Sequence, residues 1–222
     1  MRFLFLLGLL ASTAGAALPP ELAEALKNFR AEPPPGWSFT QTTTAQGESL
    51  VERCDATKPD FARWTLVQKD GRAPTDAESK TYAEMRSRRS RGGTAPKITD
   101  QIDTSSIQVV DDQPERRTYR AKLAPGEKRD TTAEFLQATL VLHKPTATIE
   151  SFALANTGPF NPTLGVRIAE MKTVMAYSLP GDATPALPRT VTTRVRGRAF
   201  FFKSLDADMT VSYTDYEPLK KH

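Results

Sequence analysis

The chain has 222 residues and a formal net charge of +4. That charge is mild for the length, so nothing in it calls for a nucleic-acid partner. Cys54 is the only cysteine, which excludes an intramolecular disulfide.

The chain opens with Met1-Arg2, runs through an apolar stretch from Phe3 to Ala11, and reaches Ala14-Gly15-Ala16. A short basic start, an apolar h-region and small residues at the cleavage position describe a secretory signal peptide over residues 1–17. The apolar run is far shorter than the ~20 residues of a spanning helix, and no second long run exists. The expectation is a cleaved leader and a soluble periplasmic protein that does not span the membrane. Cys54 lies too far from the cleavage position to carry a lipid anchor. Loss of Arg2 leaves +4 − 1 = +3. The remainder, 18–222, is long enough for one domain with a sizeable core.

Pro19-Pro20-Glu21 is a good helix start. Leu22, Ala25, Leu26 and Phe29 then fall at i, i+3, i+4 and i+7, one apolar stripe that must be buried on something larger. Pro33-Pro34-Pro35-Gly36 ends the helix. From Trp37 the period becomes two. A strand to Thr43, a turn at Ala45-Gln46-Gly47, a return from Leu50 to Cys54, and a third strand from Ala62 to Lys69 read as antiparallel hairpins.

Residues 74–91 read as a helix. Thr75 and Glu78 form a capping-box pattern, and Gly92-Gly93 is the stop. Its apolar face is thin (Ala77, Tyr82, Met85), which predicts an exposed helix in an insertion reaching to about Lys97. Arg86, Arg88, Arg89 and Arg91 crowd its end, where cations complement the helix dipole. Solvation by water or contact with anionic headgroups are the two readings of these arginines.

Strands then dominate, over 105–111, 116–123, 132–143, 147–156, 164–179, 189–203 and 208–216, with Pro159 to Pro162 read as a turn. Several run well beyond the usual ~5–6 residues, which predicts a strongly curved antiparallel meander. In 189–203, Val191, Thr193, Val195, Gly197, Ala199 and Phe201 share a face. Arg194, Arg196 and Arg198 share the other, continued by Phe200 and Phe202. Gly197 and Ala199, small among large neighbours, predict a close approach by another element, with the first helix as the candidate.

No chemistry is spelled out. One cysteine and one internal histidine, His143, match no metal-ligand spacing. There is no G-x-S-x-G elbow and no P-loop. Asp206 and Asp208 read as a solvated turn, Cys54 as a small buried hydrophobe, and Glu134, Glu150 and Glu170 as strand residues with nothing to bring them together. No catalytic, cofactor-binding or metal-binding residue is assigned. The candidate contact residues are Arg86, Arg88, Arg89, Arg91, Arg194, Arg196 and Arg198.

The C-terminal stretch from Leu164 to Pro218 resembles the end of the LolA-like periplasmic carriers. The features are Leu187-Pro188, Gly197-Arg198, Phe200 to Lys203 and Tyr213 to Tyr216. The opening order of helix, Trp37 and strand is also similar to that group, and Arg63 to Glu78 resembles a stretch of exported bacterial proteins. The resemblance implies an α+β fold, mainly antiparallel β, in which a strongly curved half-barrel sheet has its concave face covered by a few helices. In such proteins the cavity holds acyl chains. The insertion at 74–97 departs from the carrier pattern. The expected function is binding of a lipid acyl chain or a lipidated partner. The alternative is a ligand-free structural or interaction protein of the envelope.

Overall fold

The computed structural model describes residues 18–89, 98–125, 132–200 and 202–219. The expected leader over 1–17, Arg91, Gly92-Gly93 and Phe201 lie outside these residues.

The first helix, α1 (Pro20–Asn28), forms where its sequence pattern places it, with proline in the first turn. Its Glu21 carboxylate accepts from the Tyr119 hydroxyl at 3.0 Å and pairs with Arg117. A backbone N–H at the helix start and the Tyr119 hydroxyl hold Glu21 below the ordinary carboxylate range. The twelve strands are β1 (Trp37–Ala45), β2 (Glu48–Cys54), β3 (Trp64–Lys69), β4 (Gln108–Asp112), β5 (Arg116–Lys122), β6 (Leu136–His143), β7 (Thr148–Asn156), β8 (Phe160–Thr163), β9 (Val166–Tyr177), β10 (Pro188–Ala199), β11 (Lys203–Ser204) and β12 (Ala207–Pro218). Between β3 and β4 lie helix α2 (Asp76–Arg89) and the short α3 (Ile98–Gln101).

All strands belong to one open antiparallel sheet in the order β3-β2-β1-β12-β10-β9-β7-β6-β5-β4, with β8 beside β9 and β11 beside β10. The fold is therefore α+β and mainly antiparallel β. One tight hairpin follows from local chemistry. Gln46 and Gly47 (φ +52° and +87°) join β1 to β2, and two consecutive left-handed residues give the twist that a two-residue hairpin needs. The long-range step is β1 on β12, which brings the two ends of the chain side by side from Trp37↔Pro218 to Ala45↔Met209.

Four boundaries differ from the sequence reading, each for a local reason. Residues 104–106 form a 3-10 turn because the Asp103 carboxylate accepts from the Ser105 N–H at 3.0 Å, so β4 starts only at Gln108. Residues 132–135 are also 3-10, and Phe135 stacks on Phe160 at 5.3 Å. That stack accompanies a short strand, β8, where a turn is predicted. The 189–203 strand stops at Ala199 because Phe200 adopts a left-handed backbone, φ +48°. At Gly197 the close neighbour is β9, not α1. A Cβ there would lie 2.7 Å from the Arg167 carbonyl oxygen, at a bulge in the β9–β10 register.

The core lies under α1. Leu22, Ala25 and Leu26 pack with Tyr119, Leu140, Leu142, Ile149 and Phe152. Leu22, Tyr119, Leu140 and Leu142 are fully buried. Burial of each leucine there contributes about 1.5–3 kcal/mol.

Candidate functional site

Directly paired residues of antiparallel strands share a face. Register therefore places Phe152, Met175, Val191, Val211, Thr43 and Leu50 in one row across β7, β9, β10, β12, β1 and β2. The row Tyr213, Gln41, Glu52 and Leu66 lies on the same face. This inner face carries the core. Helix α1 covers it at β5–β7, and α2 meets it at β2–β3. Between them Met175, Val191 and Thr43 are only half-buried, and Met209 is exposed.

Helix α2 is fixed by polar contacts. Its start is a reciprocal capping box, with the Glu78 N–H donating to the Thr75 hydroxyl at 3.3 Å and the Thr75 N–H donating to the Glu78 carboxylate at 2.9 Å. Arg72 grips the same carboxylate with both terminal nitrogens, at 2.9 and 2.8 Å. These partners hold the Glu78 carboxyl far below its ordinary range, with Arg72 the main cause.

Four and eight residues beyond Glu78, Tyr82 and Arg86 reach the sheet. Glu52 is 4% exposed. Its carboxylate accepts from the Tyr82 hydroxyl at 2.6 Å and from Gln41 at 2.8 Å, and it pairs with Arg86. Arg86 Nε donates to the Tyr82 oxygen at 3.0 Å, and the guanidinium lies 4.1 Å from the Trp64 ring centre. A desolvated cation over an indole is held by the ring quadrupole. Burial first, and then the neighbouring Glu52 charge, push the Tyr82 hydroxyl well up. Burial alone would lower the Arg86 proton affinity, but the hydrogen bond and charge of Glu52 outweigh it and raise it. The guanidinium is charged at every physiological pH.

Beside this contact is a cleft of about 370 Å³ lined by Pro33 to Pro35, Phe39, Cys54, Trp64, Arg86 and Tyr213. Phe39 makes edge contacts with Trp64 at 5.5 Å and Tyr213 at 5.8 Å. Arg63, which pairs with Asp60 at 2.7 Å, also lines it, and its Nε is buried without a hydrogen-bond partner among the described residues. Burial raises the Cys54 thiol, which is the inert, hydrophobic reading of that residue. A second cleft, also about 370 Å³, opens at the end of α1 against Phe29, Ile149, Tyr177 and Pro185.

The candidate arginines separate. Arg86 is not a solvated helix end, since its side chain is only 19% exposed and it is the α2 contact to the sheet. The thin face of α2 misled the reading, because Tyr82 and Arg86 at i, i+4 form one anchoring pair. Arg88 and Arg89 lie in the last turn of α2, and Arg91 falls outside the described residues. Arg194, Arg196 and Arg198 lie on the opposite sheet face. Arg194 and Arg196 share Asp208, at 3.3 and 2.6 Å, so Asp208 is a cross-strand partner and not a free turn. Arg198 stands opposite Arg167. Asp206 caps the bulge by accepting from the Gly197 N–H at 3.1 Å. Glu150 is held by Arg116 at 2.7 Å, Glu170 faces Arg196, and Glu134 is exposed in a separate turn, so these acids do not converge. His143 contacts Thr146 at 2.8 Å beside its turn. Sequence reasoning misses Glu52, the buried carboxylate at the centre of this contact.

Among the described residues no helix is long and apolar enough to cross a membrane. No protein-family model, no curated protein and no solved structure matches the chain.

Proposed function

We propose that this is an exported periplasmic binding protein that shelters an acyl chain, free or on a lipidated partner, against the inner face of its sheet. In this reading the sheet is a curved half-barrel, the inner face is its concave side, and α1 and α2 are its covers. The observation that carries it is the apolar row from Phe152 to Leu50. It starts in a dry core under α1 and continues, half-covered, toward the cleft under α2. An apolar strip of that kind is the default place for an apolar ligand. Each methylene taken up contributes about 0.8 kcal/mol. The orphaned Arg63 Nε offers a donor to the polar end of such a ligand. The Glu52–Tyr82–Arg86 contact pins α2, and its opening admits the chain. The order of helix, Trp37 and long antiparallel strands agrees with the resemblance to LolA-like carriers.

The test is native mass spectrometry of protein isolated from a periplasmic fraction without detergent. The expected result is a bound mass released as lipid on activation, and uptake of fatty acid by the stripped protein. A clean unliganded mass that stays unchanged with phospholipid and lipopeptide would overturn the reading. It would leave the ligand-free interaction protein, in whose outer arginine stripe Arg194 and Arg196 already pair with Asp208.

A further inference from the structure

One end of the β9–β10 pair exposes apolar bulk that packing does not use. The last register pair is Val166↔Ala199. Just beyond it, the turn before β9 carries Leu164 and the turn after β10 carries Phe200 and Phe202. Leu164 is 96% exposed, Phe200 63% and Phe202 86%. Single exposed apolar residues are ordinary, but three bunched on two adjoining turns are not.

The two turns are clamped together. The Phe200 N–H donates to the Gly165 carbonyl at 2.7 Å. Phe200 and Gly165 both have left-handed backbones, φ +48° and +78°. A Cβ on Gly165 would lie 3.1 Å from the Phe200 ring, so the ring rests on the glycine. Phe200 is therefore held against the turn that carries Leu164.

Cations surround it. Arg167 and Arg198 stand opposite each other on one face, and Lys203, opposite the inward-facing Ala199, is on the other. All three are exposed. Among the described residues none of them has an acidic partner at ion-pair distance, whereas the neighbouring Arg194 and Arg196 both pair with Asp208. Aromatic and leucine side chains ringed by unpaired basic residues match the interface of an anionic bilayer, which takes apolar groups at the acyl boundary and attracts cations at the headgroups.

We infer that the Leu164–Phe200–Phe202 tip, with Arg167, Arg198 and Lys203 around it, docks this protein on the surface of an anionic phospholipid membrane. The inference stands apart from the acyl-chain reading, because the tip is distinct from both clefts.

The experiment is co-sedimentation of the protein, as isolated from producing cells, with vesicles of phosphatidylcholine alone or of phosphatidylcholine and phosphatidylglycerol at three to one. Binding is expected to the anionic vesicles only, and to weaken as salt rises. Leu164→Ser/Phe202→Ser should lose at least tenfold in affinity with an unchanged melting temperature, and Arg167→Gln/Arg198→Gln about thirtyfold. In Phe202→Trp the added emission should be quenched by brominated lipid. No vesicle binding, or equal binding by wild type and the Leu164→Ser/Phe202→Ser variant, would overturn the inference. So would a dimer that this variant abolishes in the absence of vesicle binding, which would assign the tip to a second copy of the chain. Fatty-acid uptake measured without vesicles reports on the acyl reading alone, so failure of either idea is seen separately.

Discussion

The two helices that meet the inner face do so by opposite physics. Helix α1 buries Leu22, Ala25 and Leu26 in a dry cluster with Tyr119, Leu140 and Leu142. Helix α2 buries Tyr82, and its main tie to the sheet is the Glu52–Tyr82–Arg86 contact. Apolar burial is lost only when the element leaves its site altogether. A polar contact can be exchanged for water, at a cost that falls as water enters. On the proposed reading α1 is therefore the fixed cover of the sheet and α2 the releasable one.

Substitutions can break this contrast. The largest effect is expected from Leu22→Ala, which removes a fully buried side chain from the α1 cluster. It should cost about 2–5 kcal/mol of global stability, read as a fall in Tm and in the denaturant midpoint. Glu52→Gln comes next. It removes the counter-charge of Arg86 in a half-buried place, a class of change that costs about 3–5 kcal/mol where the charge stays buried. Because α2 can lift and rehydrate Arg86, the Tm should fall less than in Leu22→Ala, while amide exchange over residues 76–87 quickens and α1 is unaffected. An equal Tm loss with unchanged α2 exchange would show that the two covers are alike.

Thr75→Ala removes the capping hydroxyl of α2 and should cost about 1 kcal/mol, again confined to exchange in that helix. Acid should have the gentlest effect. The Glu78 carboxyl is depressed in the folded protein, so its contribution is full above its ordinary value of about 4.3 and is lost as pH falls below it. Asp112 behaves alike, held at about 2 first by Arg117 and then by Lys144. Lowering pH from 5 toward 3 should therefore loosen the start of α2 and the Glu21 contact at the start of α1, while the apolar packing of α1 holds. Amide exchange at the two pH values checks this.

What was legible in the chain was local. The Leu22-Ala25-Leu26 stripe needs only a period of 3.6, the Gln46-Gly47 hairpin only two residues that tolerate positive φ, and the α2 cap only Thr75 and Glu78. The two faces of β10 were also visible in their alternation. What stayed hidden was pairing at a distance. Glu52 meets Tyr82 and Arg86 across 30 and 34 residues, and nothing near Glu52 in sequence announces a buried carboxylate. Arg86 was hidden among arginines that share its spacing. The approach to Gly197 was foreseen as a need for space, but its source, the Arg167 carbonyl, depended on a bulge in register that no periodicity displays.

The most direct test is native-state hydrogen exchange followed over α1 and α2 in one sample. The account predicts that α1 amides exchange only with global unfolding, whereas α2 amides exchange through a local opening that is faster and insensitive to low denaturant. Equal protection of the two helices, rising and falling together with denaturant, would contradict it.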